Sequence, residues 1–174
     1  ERIISIPVSI SDFVLSKIGQ LSEKEKEFLQ CASVFPSFFS EELKVIWKDE
    51  NRFFPADTLV RAGLWARQNQ QFIFSNQFLR EHVYQGVQGP LKKQWHGQLA
   101  QYYEAQEPKP VWELADHYFR SAEQDRALPY LLQCAEAQRT QFLPKESLHS
   151  LVQAVEIQRR RHEPDALSET LFKV

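Results

Sequence analysis

Methionine is absent from the 174 residues, and the chain opens at Glu1 inside an apolar pattern. It therefore reads as part of a longer protein, in which Ile3, Ile4 and Ile6 pack against something upstream. Cysteine occurs twice, at Cys31 and Cys134, each within an apolar helical pattern. Two distant thiols make neither a disulfide framework nor a structural zinc cluster, so both read as small buried hydrophobes. That usage fits a cytoplasmic chain. No run approaches the roughly 18 apolar residues of a membrane span, and no charged-then-apolar leader opens the chain, so no membrane partner is expected.

An excess of charge is also missing. Residues 1–90 hold 10 basic and 11 acidic side chains, and residues 91–174 hold 11 and 12. Neither half is a basic body that would grip nucleic acid non-specifically. No glycine-rich phosphate loop ending in Gly-Lys-Ser/Thr occurs, so ATP hydrolysis by this chain alone is not expected. No Ser/His/Asp set, Cys/His set or carboxylate pair can be assembled from spacing, and the catalytic set is empty. His82, His96, His117, His149 and His162 show no metal-ligand spacing, and no metal site is expected.

What is present is 43% hydrophobic and 13% aromatic, enough for a packed core. The organising stretch is Phe72 to Tyr84, a strand end turning directly into an amphipathic helix. Residues 1–10 read as an extended lead-in. Ser11 can cap a short helix through Leu15 and Ile18 that Gly19 stops. Ser22 and Glu25 form a capping box for a helix carrying Phe28, Leu29 and Ala32 and ending at Pro36. Ser40 caps a third helix with Leu43, Ile46 and Trp47, and Glu41 and Glu42 fall in its first turn. A short helix from Pro55 to Ala62 has Gly63 as its C′ residue. Leu64–Arg67 and Phe72–Phe74 are expected to pair as a two-stranded hairpin. The next helix runs from about Asn76 to Gly86, with Phe78, Leu79, Val83 and Tyr84 on its buried side. Gly86, Gly89 and Pro90 mark a boundary.

Beyond it the expected helices carry Trp95, Leu99, Tyr102 and Tyr103; then Val111, Leu114, Ala115 and Tyr118; then Ala127, Leu128, Leu131, Leu132 and Ala135; then Leu148, Leu151, Val152 and Val155. A last, weak helix spans about 165–172. Ala115, Tyr118, Ala127, Leu131 and Cys134 have the offsets of a tetratricopeptide (TPR) repeat, with Ser147 a mismatch in the following unit. The fold class is mainly α: a winged-helix-like domain over 11–89 with a two-stranded hairpin, then a TPR-like helical array over 90–174.

The segment Phe72-Ile-Phe-Ser-Asn-Gln-Phe-Leu-Arg-Glu-His-Val-Tyr84 resembles the winged-helix signature of signal-transduction ATPases with numerous domains (STAND). Trp95-His96 with Leu99-Ala100, Leu114-Ala115-Asp116-His117-Tyr118, and Ala127-Leu128-Pro129-Tyr130-Leu131 follow in the same order. The related regions lie downstream of the ATPase core in MalT-like regulators and in some bacterial kinases and cyclases. The resemblance covers about Val8 to Ile157. It implies an upstream ATPase domain that binds ATP or ADP, and a helical array that meets a protein or neighbouring domain. The family usually places a His after the residue equivalent to Ser75, where it reaches the phosphates of ADP. Here Asn76 stands there, with an amide that donates but carries no switchable charge. Asn76 and Arg80 are accordingly the expected phosphate contacts in the parent. Trp112, Tyr118 and the basic run Arg159, Arg160, Arg161 are the expected partner-binding residues. The alternative is a fragment of a DNA-binding winged-helix regulator. The acidic start at Glu41 and Glu42, and a wing turn of Gln and Asn, speak against it.

Overall fold

The computed structural model describes residues 15–35, 37–38, 40–48, 54–69 and 71–161. The Ser11 and Ser40 caps, Pro36, His162 and the helix expected at 165–172 lie outside what is described. The chain divides into two compact units, Glu1–Gln88 and Gly89–Val174.

In the first unit, residues 15–19 are helical (α1). α2 spans Glu23–Ala32, and its capping box is in place. The Ser22 amide donates to Glu25 Oε2 at 2.8 Å, and the Glu25 amide donates to Ser22 Oγ at 3.3 Å. Two otherwise orphaned donors are satisfied reciprocally. α2 buries Phe28, Leu29, Cys31 and Ala32. Phe28 is the hub of an aromatic core, with its ring centroid 5.2 Å from Trp47, 5.0 Å from Phe54 and 5.3 Å from Trp65.

α3 covers Ser40–Ile46 and α4 covers Ala56–Arg61. α4 ends in a full Schellman motif: Gly63 N–H donates to Val60 O at 2.9 Å, and Leu64 N–H to Leu59 O at 3.0 Å. Gly63 has φ +69°. Any Cβ there would also lie 3.0 Å from Lys17 Nζ. Gly63→Ala is expected to cost about 1–2 kcal/mol, the penalty for an L-residue in the left-handed region. Urea denaturation of the two proteins checks it, and an unchanged midpoint would refute it.

The sheet differs from expectation. β2 (Trp65–Gln68) and β3 (Gln71–Phe74) form the antiparallel hairpin, with Trp65 opposite Phe74 and Gln68 opposite Gln71. Asn69 in the turn has φ +56°, a conformation that asparagine tolerates well. A third strand, β1 (Ser37–Phe38), pairs antiparallel with β3, giving the order β1-β3-β2. β3 is thus the central strand, and Phe72 and Phe74 bury one of its faces against Trp65.

Asn76 is the N-cap of α5 (Gln77–Gly86). Leu79 and Val83 face the core, as expected from their four-residue spacing. Phe78 does not: it is 84% exposed. One residue is about 100° of helix, so position 78 shares the outer face with His82 rather than the inner face with Leu79.

The second unit is a succession of helices in which each packs on the next: α6 (Gly89–Glu104), α7 (Val111–Arg120), a 3₁₀ turn (Gln124–Ala127), α8 (Leu128–Thr140) and α9 (Pro144–Arg161). The buried stripe of α6 is His96, Leu99, Ala100 and Tyr103, one position displaced from the expected Trp95 and Tyr102. α7 buries Leu114, Ala115, His117 and Tyr118. Small residues bring the helices close: Ala115, Ala127, Ala135 and Ala154 are all buried. The mismatched Ser147 is buried too, and its hydroxyl donates to Ala135 O at 3.0 Å, so its polarity is satisfied.

α8 ends in the same motif as α4, with Phe142 N–H to Arg139 O at 3.2 Å and Leu143 N–H to Gln138 O at 2.9 Å. Here the left-handed residue is Phe142, φ +59° and 91% exposed. Phe142→Gly relieves that conformation and removes almost no buried surface. It is expected to stabilise the unit by about 0.5–1 kcal/mol. A lower melting temperature would contradict this.

Candidate functional site

Two histidines from different helices meet inside the second unit. His96 on α6 and His117 on α7 are 1% and 5% exposed. Their Nδ1 atoms are 2.7 Å apart, so one ring donates its proton to the other. The Tyr103 ring stacks on His117 at 5.5 Å with planes 15° apart. Burial lowers both basicities. His96 falls to about 3 through loss of solvent and then the facing charge of His117, partly opposed by Asp116. His117 falls to about 4 through loss of solvent, with Asp116 opposing and Arg120 adding. Both rings are neutral near pH 7. The half-exposed Asp116 carboxylate receives a 2.7 Å hydrogen bond from Arg120 Nε. One ligand atom each from His96, Asp116 and His117 lie within 4.8 Å of one another.

Spacing hides this group. The two histidines are 21 residues apart, beyond any local ligand motif. The legible signal is helical phase: His96 lies three residues before Leu99, and His117 three after Leu114, so both fall on the buried stripes of consecutive helices.

A second polar cluster surrounds Tyr118. Tyr118 Oη donates to Glu104 Oε2 at 2.7 Å, and Tyr130 Oη donates to Glu104 Oε1 at 3.1 Å. Arg126 pairs with Glu104 Oε2 at 2.5 Å and covers the Tyr118 ring at 4.6 Å. The Tyr118 hydroxyl first of all, then Tyr130 and Arg126, hold the Glu104 carboxyl below its ordinary range, against the opposing effect of burial. Tyr118 is 0% exposed. It therefore offers no face to a partner, contrary to expectation, because its polar tip is satisfied internally by Glu104.

The other expected residues have local structural roles within their own units. Asn76 Oδ1 accepts from the Phe78 amide at 2.7 Å as a helix cap. Arg80 Nη1 donates to Ser33 O at 3.1 Å, and Arg80 Nη2 lies 3.4 Å from Glu81. Both thus have structural partners within the first unit. Trp112 is half-exposed in the first turn of α7. Arg159, Arg160 and Arg161 occupy the last turn of α9, where the helix dipole favours cations. Arg160 also pairs with Glu156 and Gln124. Cys31 and Cys134 are buried free thiols. Burial pushes Cys31 far up and Cys134 to about 11, so neither is a nucleophile at neutral pH. Among the described residues, no helix is long and apolar enough to cross a membrane.

No family model, curated protein or solved structure matches this chain.

Proposed function

We propose that this chain is a non-catalytic regulatory and protein-interaction module of a larger signal-transduction ATPase. The first unit acts as a winged-helix relay beside the upstream ATPase domain. The second is a TPR-like array that meets a protein or neighbouring domain. The observation that carries partner binding is the apolar surface left at the α8–α9 corner. Phe142 and Leu143 are exposed there, and Leu148 and Val152, four apart on α9, are exposed beside them in sequence. Large apolar side chains grouped on a surface mark interaction sites. Support for the array comes from the sequential helix packing and the buried small residues at the close approaches. Support for the relay comes from short helices, a three-stranded sheet and the closing α5.

The test begins with the reading frame upstream of Glu1. A glycine-rich phosphate loop followed by a metal-binding Asp is expected there, and its absence sinks the ATPase assignment. The ATPase region and this chain, expressed separately, are then expected to form a complex that weakens with Val152→Glu. An electrophoretic mobility shift, titrated with salt, tests the DNA-binding alternative directly.

A further inference from the structure

We infer that His96, Asp116 and His117 form a binding site for a divalent transition-metal ion of the zinc class, held between α6 and α7. Two imidazoles converge head to head through the same ring nitrogen, and the carboxylate of Asp116 lies half-exposed beside them, paired with the equally exposed Arg120. Two nitrogens and one carboxylate oxygen suit zinc, cobalt or nickel, and not calcium or magnesium, which require mostly oxygen.

The geometry needs a small adjustment. Zinc–nitrogen bonds of about 2.0–2.1 Å place tetrahedral ligand nitrogens about 3.3 Å apart. The Nδ1 atoms, now 2.7 Å apart, must open by about 0.6 Å, a change small enough for side-chain torsions. The ion takes the place of the shared proton, which moves to Nε2 of the same ring so that both ligating imidazoles stay neutral. Asp116 must turn from Arg120, to which it is held by one partly solvated hydrogen bond. Its half-exposed side chain gives the ion a route in, and water fills the fourth position. The ion cross-links two helices that otherwise meet at this level through packing and one imidazole–imidazole hydrogen bond, so it acts on the rigidity of the array.

The experiment titrates cobalt(II) into the whole chain, metal-free at the start, and follows the visible bands of tetrahedral cobalt, with zinc as competitor. His82 and His149 are exposed, so a variant with His82, His149 and His162 all changed to Gln removes every other histidine. That variant is expected to bind one cobalt with unchanged bands. His117→Gln is expected to abolish them. Asp116→Asn lies at the surface and leaves the core packing intact, so it decides the matter should His117→Gln unfold. It is expected to weaken binding by about 10–100-fold. Loss of binding in the triple variant assigns the ion to surface histidines and overturns the site. So do absent tetrahedral bands in the wild type, or an Asp116→Asn variant that binds as tightly.

Discussion

Tyr118→Ala is expected to cost the helical unit about 3–5 kcal/mol, in line with removal of a buried aromatic ring. That is a large part of the roughly 5–15 kcal/mol that holds a domain together. Three losses combine. The ring stacks on Tyr130 at 6.0 Å with planes 9° apart. The Arg126 guanidinium lies over its face. Its hydroxyl is the shortest tyrosine donor to Glu104, which would be left with Tyr130 and Arg126. Tyr118→Phe separates the contributions. It keeps both ring contacts and loses only the hydroxyl, so about 1–2 kcal/mol is expected. Chemical denaturation of the wild type and both variants measures the difference. Equal costs for Phe and Ala would mean that the hydroxyl, not the packed ring, supports this corner.

Acidification is expected to destabilise the same unit well above the pH at which its carboxylates titrate. An unfolded histidine titrates near 6.5, whereas His117 and His96 titrate at about 4 and about 3 in the fold. Below 6.5 the unfolded chain therefore binds protons that the folded chain refuses. Stability is fully present above that value and declines as pH falls toward the folded values. Each group contributes a slope of about 1.4 kcal/mol per pH unit across its window. Several kcal/mol, on that order, are lost by about pH 4.5. The groups around the pair are Asp116, Arg120, Lys92 and the Tyr103 ring. Asp116 alone among them favours protonation, and loss of solvent outweighs it. Glu104 adds its own loss only below its ordinary value of 4.5. Urea midpoints measured in a chelating buffer from about pH 7 to about pH 4.5 give the slope. His96→Gln/His117→Gln is expected to flatten it. An identical slope in the double variant would remove the pair as its cause.

Features written within a few residues were legible beforehand. The Ser22–Glu25 box, the Gly63 C′ position and the β2–β3 hairpin each depend on local geometry alone, and each is found. Features written across the chain were not. β1 is two residues long and carries no alternation of its own; it exists because β3 offers an edge to it. Hydrophobicity alone places Phe78 in the core, and helical phase turns it outward. Tyr118 looked like a contact residue because tyrosine serves both cores and interfaces, and only the position of Glu104 decides between them. The His96–His117 meeting required knowing which two stripes face each other, and periodicity gives each stripe but not its opposite number.

Ser37 meets Ile73 across the intervening α3, α4 and β2, whereas the helices of the second unit meet near neighbours in the chain. Closing the first of these loops costs chain entropy before any hydrogen bond repays it, and the second unit has no such closure among its principal contacts. Contact order therefore differs between the two halves. The helical half has the topology of a rapid folder, and the sheet-bearing half waits for β3 before β1 has anything to join.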